Sequence, residues 1–279
     1  MENRHVDLSV PSAARMYDWL LDGSNNFEVD RRACRLLLQA APTSRELARN
    51  NRWFLQRVVR TLADEHGIRQ FIDFGSGLPT QQNVHQIAQG IDPDCRVIYI
   101  DNDPVVLSLG QSLLDENDKT AILSADMTDT DAIFNHPAVG RLINFDKPVA
   151  ALFVSVLHCL PDIADPEGLV RRVVQELVPG SFVVVCQLVS DDPTFRDAVT
   201  ELMRVQTQGN WGRVREEADV DRIFEGLLVQ WPGLVDVTDW RPDSELQQRQ
   251  RGIEWTEYGG LAEVPPRRDR DEKVSARTA

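Results

Sequence analysis

Residues 69–80 read Arg-Gln-Phe-Ile-Asp-Phe-Gly-Ser-Gly-Leu-Pro-Thr. An apolar, strand-like run carries Asp73 near its end, glycines follow at positions 75 and 77, and a polar, helix-compatible stretch then begins. A strand, a glycine turn and a helix in that order make a nucleotide-sized crevice at the carboxyl edge of an open α/β sheet. The glycines let the backbone turn sharply and let a ligand approach its amides.

Upstream the pattern is helical. Positions 11–21 carry Met16, Trp19 and Leu20 on one side, and Asp-Gly-Ser-Asn-Asn at 22–26 signals a loop. Helical periodicity resumes over 27–41 through Ala33, Leu36, Leu37 and Ala40. Thr43 or Ser44 can cap a longer helix with Leu47, Phe54, Val58, Val59 and Leu62 on its apolar face, ended by Gly67. Downstream, strands at 69–74, 96–100, 120–124, 149–156, 182–188, 227–230 and 234–237 alternate with helices at 81–89, 104–114, 130–135, 166–177, 195–205 and 220–226. Such alternation predicts an α/β chain with a mainly parallel, seven-stranded sheet, helices on both faces and an N-terminal helical cap. The expected divisions are a cap or lid over 1–67, a cofactor-binding domain over 68–240, a C-terminal extension over 241–264 and a disordered tail over 265–279.

The 279 residues carry a formal net charge of -14, which disfavours nucleic-acid phosphates and anionic membranes as partners. Arg45, Arg49 and Arg52 share a helix face, and Arg267, Arg268 and Arg270 form the densest basic run; both read as solvated. No apolar run approaches the roughly 20 residues of a membrane-spanning helix, and the N-terminus has no secretory pattern, so a cytoplasmic protein is expected. Four cysteines without Cys-x-x-Cys spacing and five histidines without His-Glu-x-x-His predict neither a redox dithiol nor a bound metal.

Acidic residues fall at or just past the carboxyl ends of the first three strands: Asp73, Asp101 and Asp126. Asp101 can accept from both hydroxyls of a ribose, or it can simply flank the helix starting at Pro104. Asp126 can accept from an adenine amine while Met127 packs on the ring, or it can be a turn acid before Thr128. Asp73 can fix the turn amides, place negative charge near a cationic ligand, or both.

These residues resemble the class I S-adenosylmethionine-dependent methyltransferases, through Asp73-Phe74-Gly75-Ser76-Gly77, Asp101-Asn102-Asp103, Ala125-Asp126-Met127 and Val156-Leu157-His158-Cys159-Leu160-Pro161-Asp162. A closer resemblance, through Arg15-Met16-Tyr17-Asp18, the 23–27 loop, Asn51-Arg52, Gly77-Leu78-Pro79-Thr80-Gln81 and Asn83-Val84-His85, is to a bacterial family of predicted methyltransferases formerly catalogued as a domain of unknown function. The resemblance implies a Rossmann-like fold and S-adenosyl-L-methionine as cofactor. It implies cofactor contacts from Asp73, Gly75, Ser76, Gly77, Leu78, Asp101, Asn102, Asp126, Met127 and Ser155. Many members of the broad class carry a small residue where this chain has Leu78-Pro79, and the narrower family shares Leu-Pro. Arg15 is a candidate partner for the cofactor's carboxylate. Tyr17, Asp18, Asn25 and Asn26 are candidates for the acceptor pocket, against the plainer reading of helix packing and loop geometry. Tyr258, with Trp255 and Gly259-Gly260, is expected to return over the same mouth. His158 reads as a structural or cofactor-side group more readily than as a base.

The leading expectation is methyl transfer to a small-molecule acceptor, with catalytic residues unassigned and the oligomeric state open. A non-catalytic S-adenosylmethionine-binding regulator or partner subunit is the alternative. A nicotinamide-dependent oxidoreductase is less favoured, because the third glycine position of Gly-x-Gly-x-x-Gly is Thr80 and no Tyr-x-x-x-Lys pair occurs.

Overall fold

The computed structural model describes residues 8–80, 82–113, 117–243 and 254–266, with the side chains of 112 and 113 excepted. The 267–279 part of the expected tail with its basic run Arg267, Arg268 and Arg270, positions 244–253 of the expected extension, Gln81 and Leu114 at expected helix ends, and the first seven residues lie outside the described residues.

Eight strands form one sheet among the described residues: β1 (Gln70–Phe74), β2 (Arg96–Asp101), β3 (Thr120–Ser124), β4 (Ala150–Val154), β5 (Phe182–Val189), β6 (Leu228–Val229), β7 (Val235–Asp236) and β8 (Thr256–Glu263). Their order is β3-β2-β1-β4-β5-β8-β6, with β7 also paired to β8. β1 to β5 are mutually parallel, while β8 runs antiparallel to β5. The chain steps outward from β1 to β3 and then returns to β4 on the other side of β1. A topological switch point therefore lies between β1 and β4, where α/β sheets bind their ligands.

Ten α-helices accompany the sheet among the described residues: α1 (Ala13–Leu20), α2 (Glu28–Ala40), α3 (Ser44–Asp64), α4 (Val84–Ile91), α5 (Pro104–Leu113), α6 (Thr130–Phe134), α7 (Pro137–Leu142), α8 (Pro166–Glu176), α9 (Pro193–Gln206) and α10 (Glu217–Ile223). Alternate strand residues face opposite layers. Phe71, Val97, Tyr99, Leu152 and Val184 pack with Phe54, Val58 and Leu62 of α3 and Val84 of α4. Ile72, Phe74, Ile98, Phe153 and Val185 pack with Ile133, Val139, Leu169 and Val220 from α6, α7, α8 and α10. A third cluster joins Met16, Leu20, Leu37 and Leu47 to Leu188, Met203, Trp211 and Trp255. It seats the helices before β1 on the far ends of β5 and α9.

Three differences from the sequence expectation have physical causes. The sheet has eight strands, not seven, because Gly259-Gly260 and two acids hide β8. Those glycines are needed there: a Cβ on Gly259 would stand 1.9 Å from the Val185 carbonyl oxygen. α7 was missed, and its cap is His136, whose Nδ1 accepts from the Ala138 amide at 3.2 Å. α9 begins earlier than expected, with Asp192 accepting from Thr194 at 2.8 Å and Pro193 in the first turn.

Candidate active site

The turn after β1 is built from both its glycines and its neighbours. Gly75 and Gly77 have φ of 70° and 67°, a left-handed backbone that favours glycine. The amides of Gly75 and Ser76 both donate to the Ile100 carbonyl, at 2.8 and 3.1 Å, which ties the turn to β2. Asp101 Oδ2 accepts from the Gly77 amide and Oδ1 from the Asp103 amide, each at 2.8 Å. Across the switch point, a Cβ on Gly75 would lie 2.2 Å from Val156 Cγ2. The carboxyl ends of β1 and β4 thus approach as closely as their side chains permit.

Two buried carboxyls face this turn. Burial pushes Asp73 up to about 7, an effect Arg52 opposes and Asp101 reinforces. Burial likewise pushes Asp101 up to about 6, against the downward pull of the Asp103 and Gly77 amides. A cation arriving beside them would favour their charged forms.

The turn opens into a cavity of about 900 Å³. Of the expected cofactor residues, Asp73, Gly75, Ser76, Gly77, Asp101, Asn102, Met127 and Ser155 line it. Leu78 and Asp126 do not. Leu78 is buried beside the turn. Asp126 is exposed, and its Oδ1 accepts from the Thr128 amide at 2.9 Å and hydroxyl at 2.7 Å, so it serves its own turn. The cavity suits a polar, nucleoside-bearing cofactor on two observations. Ser76 Oγ and Arg52 Nε are buried without a partner among the described residues. A Cβ on Gly77 would meet nothing within 4 Å, so space remains beside that amide.

The N-terminal candidates divide. Arg15 and Tyr17 line the cavity. Arg15 is already paired, its Nε lying 3.2 Å from Asp30 Oδ1 and its terminal nitrogen against the Val10 carbonyl. Tyr17 donates to the Ala48 carbonyl at 3.0 Å and accepts from Asn51 Nδ2 at 2.9 Å; burial holds its hydroxyl well above the usual phenol range. Asp18, Asn25 and Asn26 are not on the wall. Asp18 Oδ2 accepts from the Asn25 amide at 2.9 Å and Asn26 Nδ2 at 2.7 Å, so these three lock the loop before α2. Arg45 and Arg49 are not merely solvated; both pair with Asp22 of that loop, at 2.7 and 2.8 Å.

At the other end, His158 lines the cavity and is buried. Its Nδ1 accepts from the Leu188 amide at 3.4 Å, and its ring lies 5.1 Å from that of Trp211. Burial and the Arg215 charge push it down to about 3, so it is neutral. Tyr258 is not over the mouth: β8 alternation turns it to the opposite layer, where its hydroxyl donates to Asp221 at 3.1 Å. The same alternation brings Trp255 and Glu257 to the wall.

Sequence reading missed Glu257, Arg52, Asn51 and Trp211 as wall residues. Glu257 is 1% exposed, receives the Ser155 hydroxyl on Oε1, and has no hydrogen-bond partner on Oε2 among the described residues. Burial pushes it up to about 8. The period-two pattern Trp255-x-Glu257 was its available signal, masked by the unrecognised strand. Among the described residues no group of three or more His, Cys, Asp or Glu stands where it could hold a metal, and no helix is long and apolar enough to cross a membrane.

A mainly parallel sheet switched between β1 and β4, with a glycine turn and strand-end carboxyls on one cavity, defines the class I methyltransferase fold. The chain belongs to the S-adenosyl methyltransferase family, whose model matches residues 1–265. Its cofactor is S-adenosyl-L-methionine. A crystal structure of a candidate methyltransferase from Thermobifida fusca is 37% identical, with a TM-score of 0.86 over 93% of this chain and 97% of that one. A DUF574 family protein from Streptomyces avermitilis is 33% identical, with a TM-score of 0.86 over 94% of this chain and 100% of that one. A search of curated proteins finds no match.

Proposed function

We propose that the protein transfers a methyl group from S-adenosylmethionine to a small-molecule acceptor. One observation carries this reading: the cavity that begins at the glycine turn is walled by α1 and continues past Ser155 to the Met16, Leu20, Leu37, Met203 and Trp211 side chains. A walled apolar compartment beyond a cofactor turn suits a small organic molecule. It does not present the open basic track that a nucleic acid needs.

The chain's own groups have distinct parts in this reading. Asp101, anchored by the Gly77 amide, holds the cofactor's ribose side, Ser76 Oγ and Arg52 Nε take its polar groups, and Asp73 supplies negative charge nearby. When bound, the cofactor supplies an electrophilic methyl on a sulfonium. The walls contributed by α1 and α3 hold the acceptor in line and exclude water. Asp126, on its own turn, takes no part unless it moves.

Equilibrium binding of S-adenosylmethionine and S-adenosylhomocysteine tests the first half. Formation of S-adenosylhomocysteine from a panel of small amines, alcohols and thiols, run beside transfer RNA and protein lysate, tests the second. Turnover confined to the macromolecular arm would overturn the small-molecule reading. Tight cofactor binding without turnover in either arm would favour a non-catalytic binder.

A further inference from the structure

The wall of the cavity has an excess of acid. It carries four carboxyl groups, Asp73, Asp101, Asp103 and Glu257, against two guanidiniums, Arg15 and Arg52. Arg15 is matched by buried Asp30 outside the wall. Asp103 is engaged by the Ser12 hydroxyl. Asp101 is held by two amides. S-adenosylmethionine brings one net positive charge, less than the remaining carboxyls can match.

Glu257 stands apart from the other three. It lies on β8, across from Leu188 on β5, and reaches the end of β4 through Ser155. Its strand partner Leu188 belongs with Trp255, Trp211 and Met203 to one buried apolar cluster on the same cavity wall, and Cys186, Asp236 and Tyr17 are titratable groups near it. A carboxyl in such a place is costly to ionise unless a cation or donors meet it. Oε1 is met by the Ser155 hydroxyl, and the Cys186 thiol, which donates to Asn51 Oδ1 at 3.2 Å, also stands beside this carboxyl and, with Ser155, opposes the upward push of burial. Oε2 has no partner among the described residues.

We propose that Glu257 is the acceptor-side catalytic residue, its Oε2 receiving the ammonium of an amine with an apolar body and taking one proton from it. This rests on the methyl-transfer reading above and names the acceptor class for the same site. In the step, one N–H bond of the ammonium breaks, an O–H bond forms on Oε2, and the electron pair stays on nitrogen as the nucleophilic lone pair. The proton leaves later to solvent.

The amine is favoured over a hydroxyl by charge. Moving a proton from ammonium to carboxylate removes two opposite charges from a buried compartment and leaves two neutral groups. The same transfer from a phenol or an alcohol leaves an oxyanion beside an already acidic wall. Burial pushes Glu257 up to about 8, within reach of an alkylammonium at about 10 and far below an alcohol.

The test measures binding and needs no turnover. Wild-type protein is saturated with S-adenosylhomocysteine and titrated by calorimetry with three bodies, 2-phenylethyl, 2-(1-naphthyl)ethyl and octyl, each as amine and as alcohol, with 4-ethylphenol added. The expected result is that each amine that binds exceeds its alcohol by about tenfold or more, the size of a charge-assisted hydrogen bond. Glu257→Gln is expected to bring amine affinity down to that of the alcohol while S-adenosylhomocysteine affinity stays within about twofold. The proposal is overturned if an alcohol or the phenol matches the amines, if no amine binds to cofactor-loaded protein, or if Glu257→Gln weakens S-adenosylhomocysteine as much as the amines. The wild-type comparison stands even if the variant fails to fold. Failure of the wild type to bind either form of the cofactor would remove the methyl-transfer reading itself, and this assignment with it.

Discussion

The Gly77 amide donates to Asp101 Oδ2 at 2.8 Å, so the glycine turn and the end of β2 are one hydrogen-bonded unit. The second oxygen of Asp101 holds the Asp103 amide at the start of α5. Replacing Asp101 by Ala removes both contacts but also removes a carboxyl that is costly to bury. The two stability effects oppose each other, so urea unfolding should shift by less than about 2 kcal/mol. S-adenosylmethionine affinity should fall by about 30-fold or more, since hydrogen bonds to a charged group are lost. Calorimetry and unfolding on the same preparation check this; equal losses in both would count against a ribose contact.

The two turn glycines should respond differently. Gly75→Ala sets a Cβ 2.2 Å from Val156 Cγ2 at φ of 70°, and should destabilise the fold by about 2–4 kcal/mol through backbone strain and overpacking. Gly77→Ala has the same backbone strain but open space around the Cβ, and should cost only about 1–2 kcal/mol. Its main effect should be on cofactor affinity, because the methyl occupies the approach to that amide. Melting temperatures and cofactor titrations of both variants test the contrast.

Cofactor binding should depend on pH with a defined sign. Asp73 and Asp101 are held up to about 7 and about 6. A sulfonium beside them favours the charged forms, so S-adenosylmethionine affinity should rise between about pH 5.5 and about pH 8, with proton release on binding. S-adenosylhomocysteine, which lacks the sulfonium charge, should show a weaker rise. Titrations in buffers of different ionisation enthalpy read the released protons directly.

The unliganded protein should show the opposite trend in stability. Carboxyls whose folded value is raised contribute stability that is full below about pH 4 and is lost as pH rises through the folded value. Asp101, Asp73 and Glu257, at about 6, 7 and 8, place that loss in the neutral range. His158, lowered to about 3, contributes stability present above about 6.5 and lost as pH falls. From about pH 6.5 to about pH 8 the acids dominate, so the urea midpoint should decline, and saturating S-adenosylmethionine should flatten the decline.

His158→Leu should leave the pH profile of turnover between about pH 5 and pH 8 without a lost limb, because the imidazole is neutral throughout. The substitution should still lower stability by about 1–3 kcal/mol, since the Leu188 amide loses its buried acceptor. Arg57→Met provides a contrast away from the cavity. Arg57 is buried, and it donates to the carbonyls of Trp240 at 2.9 Å and Val237 at 2.6 Å. Losing it should cost about 2–4 kcal/mol in unfolding, with cofactor affinity unchanged.

Much of the glycine-turn end of the cavity was legible because its residues announce themselves locally. Gly75, Gly77 and Asp101 each sit at a strand end, and a strand end is visible as a switch from an apolar run to turn chemistry. The same logic left Asp126 with two readings, adenine partner or turn acid, and its carboxylate is bonded to its own turn at Thr128. The acceptor end was harder. Asp18, Asn25 and Asn26 have the residue types of a polar pocket, and only the fold shows them bonded to one another. Glu257 lies on a glycine-bearing strand that pairs with β5 across a long stretch of sequence. The period-two signal of Trp255 and Glu257 can be read only once that strand is recognised.

The addresses of the cavity's residues have a consequence for how such a chain diversifies. The turn, its tethering carboxylate and the residue after it come from one continuous span between Asp73 and Asp103. The opposite wall is drawn from α1, from the ends of β5 and α9, and from β8. Substitutions in those scattered segments can reshape what is accepted without renegotiating what donates. Inheritance can therefore conserve the donor grip while the acceptor preference drifts, and two descendants of one ancestor can share a cofactor and no substrate.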